Sequence, residues 1–394
     1  MTTRRVVIPL TPRSVPEGRR PNPSKLKEAR IAQRLNQTEL GLRVGVTRQA
    51  VSAYEQGLHA PEPPVMVQIA DVLQQPVSYF FDVAAPEFGT TGTRFFRAFG
   101  RETIRRNSSC DVHGSWLVRV AKFLDDLVTY PALDLPFALT PSAEDGAYSA
   151  DELEAAAQQC RKSWGLGAGP ISDMVSLLEN KGVLVGRFTM PGEKVDAFSF
   201  WNGDRAFVLL ASDKESGCRA RFDAAHELGH LLLHRGIGSE DLEDKKVLKR
   251  IEREADCFAG AFLLPRESFI PEVFSTRIEA FLPLKRRWKV SIAAMIVRCD
   301  QLGLLDEDRV TNLFKTISFR KWRKREPYDD EIAVEEPKLL NRAMDLVLSS
   351  GHRDAGEIAT ALQFNRRIIE EFCRLEPGSM SCKTPVAEFR PTLK

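Results

Sequence analysis

Arg221-Phe222-Asp223-Ala224-Ala225-His226-Glu227-Leu228-Gly229-His230-Leu231-Leu232-Leu233-His234 is the stretch whose reading decides how the middle of this chain folds. Taken as a helix, residues four apart share a face, so the imidazoles of His226 and His230 can ligate one Zn²⁺. Glu227, one step round, reaches a water beside that metal and is the candidate general base. This is the equipment of metal-dependent peptide hydrolysis. Catalytic zinc takes three protein ligands and keeps a fourth position open, so one more donor has to come from elsewhere.

The second informative stretch is Ile251-Glu252-Arg253-Glu254-Ala255-Asp256-Cys257-Phe258-Ala259. Glu252 and Asp256 are four apart, so on a second helix one can bind the metal while the other accepts the ring N–H of a ligating histidine and fixes its tautomer. Glu252 is assigned as the third ligand and Asp256 as the outer partner. Glu254 lies about 160° round from Glu252, at roughly 100° per residue, and is expected to face solvent. His234 shares the face of His226 and His230 but lies a turn too far to share the metal, and reads as a structural or orienting histidine. A class with a third histidine ten residues after His226 is excluded, because Gly236 stands there. The apolar runs Leu231-Leu232-Leu233 and Phe262-Leu263-Leu264-Pro265 beside the two motifs favour a metal site over two ordinary buried histidines.

At 394 residues the chain has room for two to three domains with real cores. Hydrophobic residues at 43% and charged residues at 28% describe a soluble globular protein, and the net charge of +2 says little until it is divided by segment. No run of eighteen apolar residues occurs, and Val6-Val7-Ile8-Pro9-Leu10 is too short for a signal-peptide core, so a cytoplasmic protein without a membrane partner is expected. The seven cysteines are scattered with no C-x-x-C pair and read as reduced thiols.

Residues 1–21 set five arginines against Glu17 among several prolines and read as a flexible basic arm, either a solvated tail or a contact to DNA phosphates. Residues 22–82 are a strong signal. Ser24–Leu35 is helical, Asn36 can cap a second short helix that closes at Gly45, and Thr47 can cap a third that ends at Gly57. Two short helices joined through a glycine turn form a helix-turn-helix, whose second member offers side chains to base edges in the major groove. Arg48 and Gln49 are the candidate base readers, since arginine pairs bidentately with guanine and glutamine with adenine. Gln37 is a candidate phosphate contact, Thr47 stands at the same helix start, and Ser52 fits either role.

Residues 24–81 resemble the XRE/Cro-type helix-turn-helix family, through Gln37-Thr38, Leu40, Gly45-Val46-Thr47, Val51-Ser52, Glu55-Gln56-Gly57 and Pro61. Residues 151–326 resemble the ImmA/IrrE metallopeptidase family. The carriers there are Trp164-Gly165-Leu166-Gly167-Ala168-Gly169-Pro170, Leu177-Leu178-Glu179, Arg221-Phe222, Ala225–His230, Glu252, Glu254-Ala255-Asp256, Phe258-Ala259, Leu263-Leu264-Pro265 and Trp288–Ser291. That family commonly carries Asn where this chain has Asp256, which accepts the same ring N–H. The resemblance implies a zinc-dependent endopeptidase, with Mn²⁺ as the alternative ion, acting on a transcriptional repressor or stress regulator. The partners implied are double-stranded DNA, bound as a homodimer, and a protein substrate. Whether that substrate is a separate protein or this chain itself stays open. The competing expectation is a transcription factor whose peptidase-like domain is a sensor or partner-binding module; an intact Glu227 favours the enzyme, since a sensor needs no general base.

The expected architecture is multidomain and mainly α, with an α+β zincin-like peptidase core and an N-terminal all-α helix-turn-helix. Its segments are the arm 1–21, the DNA-binding domain 22–82, a linker and connecting helices over 83–150, the peptidase domain 151–270, a helical segment 271–326 that the family resemblance makes helix-turn-helix-like, and a helical tail 327–394 with a disordered end. Asp82–Thr93 reads as linker, and Arg94, Arg97, Arg101 and Arg105 line one helix face. Residues 111–135 are expected to be helical, 136–150 to be a joint, and Asp151 to cap a helix over 152–163. Val183–Phe188 and Arg205–Ala211 have strand character, and 206–211 is expected to be the edge strand that pairs with an extended substrate. The basic runs Lys285–Lys289 and Arg320–Arg325, with Trp288 and Trp322 interleaved, read as a packing face with solvated charges ahead of a nucleic-acid contact. Three short helices after residue 338 form a tail suited to association.

Overall fold

The computed structural model describes residues 15–16, 18–82, 101–136, 140–143, 146–189, 196–212, 216–238 and 240–381, with 101–107 described by backbone alone. The arm up to residue 14, most of the linker, the side chains of Arg94, Arg97, Arg101 and Arg105, and residues 382–394 lie outside the described residues. The chain divides into two units. Of the described residues, one contains those up to 82, 108–128 and 340–381; the other is built mainly from those between 129 and 339.

In the first unit the helices are α1 (Pro23–Ala32), α2 (Gln37–Val44), α3 (Arg48–Glu55) and α4 (Pro63–Val72). Asn36 and Glu39 form a reciprocal capping box at the start of α2, and the Thr47 hydroxyl accepts the Ala50 N–H at the start of α3. Leu26, Leu40, Val44, Val51, Met66 and Ile69 are buried between them. A Cβ on Gly41 would lie 2.6 Å from the Val46 carbonyl oxygen, so only glycine lets α2 and the turn into α3 meet at backbone distance. The long helix α5 (Arg101–Asp125) joins this core through Trp116, whose indole N–H donates to Glu28 at 2.7 Å. Helix α5 ends at Asp125, where the sequence had suggested helix as far as 135; Pro131 disfavours helical backbone in the residue before it.

In the second unit, α6 (Ala150–Ser163) is capped by Ser149, which forms a capping box with Glu152, and not by Asp151. Ser149 and Glu152 satisfy two backbone groups at once, while Glu154, which stands three positions after Asp151, pairs with Arg298 instead. Then follow α7 (Met174–Asn180), β1 (Leu184–Phe188), β2 (Ala197–Asn202), β3 (Arg205–Ala211), α8 (Gly217–Leu233), α9 (Lys245–Leu263), α10 (Arg266–Phe269), α11 (Phe281–Trp288), α12 (Ile292–Gln301) and α13 (Glu307–Phe319). The strand order is β1-β3-β2, with β1 parallel and β2 antiparallel to β3. The expectation that 206–211 is an edge is therefore overturned: β3 is the central strand, hydrogen-bonded on both sides. Strand β2, absent from the sequence reading, takes an edge and packs against α8; its signal was the Gly203-Asp204 turn between two strand-like runs.

The basic segment around α11 is a packing face. Lys285 and Trp288 are buried, and Lys285 donates to Glu326 at 2.9 Å and Asp329 at 2.7 Å. Glu326 does further work: it also accepts the N–H groups of Ile292 (2.8 Å) and Ala293 (3.1 Å), closing the start of α12. Arg286 pairs with Glu331 and Arg287 with Glu272.

The chain then returns to the first unit as α14 (Leu339–Ser349), α15 (Ala355–Leu362) and α16 (Arg366–Phe372). The Phe364 ring sits 6.1 Å from Tyr79 and 5.6 Å from Trp116, and Asn365 donates to the Gln74 carbonyl at 3.0 Å. The pair α15–α16 repeats the turn of α2–α3. Asp354 and Glu357 form its capping box, Gln363 takes the left-handed position that Gly45 takes in the first turn, and Asn365 caps the next helix as Thr47 does. Ile358, Leu362 and Ile369 are buried at the positions of Leu40, Val44 and Val51.

Candidate metal centre

Helices α8 and α9 approach so closely that a Cβ on Gly229 would lie 3.1 Å from the Phe258 ring and 3.2 Å from the Ala255 Cα. That contact sets the neighbouring side chains face to face. His226 and His230 are buried on α8, and Glu252 reaches them from α9 with its side chain 16% exposed. The two Nε2 atoms are 2.9 Å apart, and Glu252 oxygens lie 3.7 Å from that of His226 and 3.3 Å from that of His230. One ligand atom from each of the three falls within 4.8 Å of the others.

The donor set fits a cation. Asp256 lies 2.8 Å from His226 Nδ1, and a carboxylate can only accept, so the His226 proton is on Nδ1 and a lone pair is on Nε2. An Nε2 lone pair facing another Nε2 and a carboxylate is a cluster of like dipoles that a metal ion neutralises. Glu227, also buried, has no hydrogen-bond partner for Oε2 among the described residues. Burial lifts its carboxyl to about 7 in the metal-free protein, against the pull of His226. The same desolvation lowers His230 to about 3, which keeps its imidazole neutral and able to ligate. From the sheet, the Ser199 hydroxyl of β2 donates to the Glu227 backbone carbonyl at 3.4 Å.

Glu254 corrects the sequence reading. It is 1% exposed, not solvent-facing, because α9 is covered on that side too, by the Tyr148 segment and the chain leaving α8. One of its oxygens lies 3.0 Å from His234 Nε2, and His234 Nδ1 lies 2.9 Å from His230 Nδ1. Both nitrogens of His234 are thus turned away from the three-donor cluster. Helical phase gave no sign of this, since phase tells which face a side chain takes and not what covers the face.

On α3, Thr47, Arg48 and Gln49 are exposed and Ser52 is half-buried, accepting from Gln56 at 3.3 Å. Gln37 is held: its amide donates to Glu55 at 2.9 Å, and the same carboxylate takes two bonds from Arg30 at 2.5 and 3.0 Å.

A DNA-binding helix-turn-helix domain followed by a metallopeptidase-type domain is the class that this fold and these side chains define. Residues 26–80 match the family model described as helix-turn-helix, of XRE type, and residues 178–300 match the peptidase family model described as the IrrE N-terminal-like domain. No curated protein gives a significant match to the chain. Among the described residues no helix is long and apolar enough to cross a membrane.

Proposed function

We propose that the protein is a transcriptional regulator that binds double-stranded DNA as a homodimer through α2–α3 and carries a zinc-dependent endopeptidase whose substrate is a repressor or stress regulator. One observation carries the enzymatic part: three metal-type donors converge beside a buried glutamate with an unpaired oxygen. His226, His230 and Glu252 would hold Zn²⁺, or Mn²⁺ in its place, with Asp256 orienting His226. The metal, when bound, supplies Lewis acidity that makes a water acidic near neutral pH and polarises a peptide carbonyl. Glu227 takes the proton of the attacking water on Oε2 and returns it to the leaving amine. An extended substrate would add by main-chain pairing to the edge of β2, the strand that packs against α8. A module that served only as a sensor would not need a buried glutamate at position 227, close enough to His226 and Glu252 to feel their charges.

On the DNA side, Arg48 and Gln49 read base edges from the exposed start of α3. Gln37 keeps one amide hydrogen on Glu55 and has a second for a phosphate, so the Glu55 contact orients it for that role. Incubating the purified full chain, with Zn²⁺ or Mn²⁺, against the regulators encoded beside it tests the reading. Metal-dependent cleavage of a regulator by the wild type and not by Glu227→Gln is expected. Fragments of this chain alone would transfer the activity to self-cleavage, and no cleavage of any kind would leave a sensor.

A further inference from the structure

We infer that His234 and Glu254 form a positioning relay that orients the metal ligand His230, an inference that rests on the metal-site reading above. The polarity of the relay follows from its far end. Glu254 is a carboxylate that accepts the Tyr148 backbone N–H at 3.1 Å on Oε1 and faces His234 Nε2 at 3.0 Å with Oε2. His234 therefore carries its proton on Nε2, which leaves Nδ1 an acceptor. The atom 2.9 Å from that acceptor is His230 Nδ1, and with a cation taking the Nε2 lone pairs of His226 and His230, themselves 2.9 Å apart, the His230 proton sits on Nδ1 and donates to His234. With its proton on Nδ1, His230 turns the Nε2 lone pair toward His226 and Glu252, the direction a metal ligand needs. The opposite polarity would set a His234 lone pair against the Glu254 carboxylate 3.0 Å away, with both side chains only 1% exposed and so with no bulk water to screen them.

The two histidine ligands are then oriented by unlike devices. His226 donates directly to Asp256, whose side chain is 41% exposed. His230 donates through a second imidazole to a fully buried carboxylate. The relay also ties together the end of α8, the middle of α9 and the Tyr148 segment, whose hydroxyl donates to the Leu233 carbonyl at 3.1 Å. A buried His–Glu pair with a merely structural role would have no need of the Nδ1–Nδ1 contact to a third ring.

The experiment uses the full chain labelled with ¹⁵N-histidine and loaded with Zn²⁺, with ring-nitrogen shifts reporting tautomers. His226 and His230 should be protonated on Nδ1 and His234 on Nε2. Zn²⁺ affinity, measured by chelator competition, should fall roughly 10–100-fold in His234→Phe. His234→Gln, whose amide carbonyl can accept from His230, should recover part of that loss. Adding Glu254→Gln to His234→Phe should cost no more than His234→Phe alone, since Glu254 acts only through the ring. A His234 protonated on Nδ1 in the Zn²⁺-loaded protein, or a His234→Phe protein that binds Zn²⁺ like the wild type, overturns the relay. Should His234→Phe fail to fold, the wild-type spectrum decides by itself. Failure of the metal-site reading looks different: the wild type would bind no Zn²⁺ in the chelator competition.

Discussion

Helices α3 and α8 carry the two candidate sites and have opposite surroundings. On α3 the residues Arg48 and Gln49 stand in solvent, each with its own reach. On α8 every residue from Ala224 to Leu233 is buried, and its functional groups share partners with α9, β2 and the Tyr148 segment. Exposed side chains far from shared partners contribute independently, whereas groups in one buried network do not. The reading helix should therefore lose affinity in separable steps, and the metal centre should fail as a unit.

The largest effect expected is on turnover. Glu227→Gln removes the proposed base and leaves the donor cluster intact, so peptide cleavage should drop by roughly 10²–10⁴-fold while bound zinc stays at the wild-type level. A Glu227→Gln protein that lost its metal would place Glu227 among the ligands and break the division of roles. Next comes Glu252→Ala, which should leave most of the protein without zinc after dialysis, as read by metal analysis; retention of zinc there with loss in Glu254→Ala would exchange the two glutamates.

Gly229→Val sharpens the link between packing and site. The new side chain meets Phe258 and the Ala255 backbone, and overpacking of this kind costs about 1–3 kcal/mol. Thermal melting should show that loss, and zinc affinity should fall with it, because α9 must move off α8 and carry Glu252 away. Unchanged zinc affinity in a destabilised protein would show that the backbone contact does not set the ligand geometry.

Arg48→Ala and Gln49→Ala should each weaken binding to the cognate duplex by about 1–3 kcal/mol and relax preference at one base position, and the double variant should show roughly the sum. A strongly non-additive double variant would mean that α3 behaves like α8 after all. The smallest effect belongs to Arg286→Ala. Its pair with Glu331 is 58% and 44% exposed, so melting should shift by no more than about 1 kcal/mol in stability. A larger loss would make that basic face part of the core rather than its solvated margin.

Turns of one type teach a related point. Helices α2–α3, α11–α12 and α15–α16, like α1–α2 at Arg34 and Asn36, pass through a left-handed residue and then a side-chain cap two positions on, at Gly45 and Thr47, Lys289 and Ser291, Gln363 and Asn365. Helix α3 joins that turn to a start where Thr47, Arg48 and Gln49 are all exposed. The start of α12 is closed by Glu326, and the turn before α16 packs on Tyr79 and Trp116. A helix-turn-helix geometry is a way of folding two short helices, and solvent access decides whether it can read DNA.

What the sequence determined by itself is local in origin. Spacing four residues apart brought His226 and His230 to one face and Glu252 and Asp256 to another, and caps and glycines marked the helices of 22–82, because these depend on backbone period and near-neighbour hydrogen bonds. The tertiary structure alone decided the rest. It made β3 central and β2 the edge, since strand order depends on pairing between distant segments. It buried Glu254 and linked it through His234 to His230, since helical phase cannot say what lies over a face. It returned residues after Leu340 to the helix-turn-helix unit, because Phe364 and Asn365 find Tyr79, Trp116 and Gln74 there, partners that no local pattern near residue 364 announces.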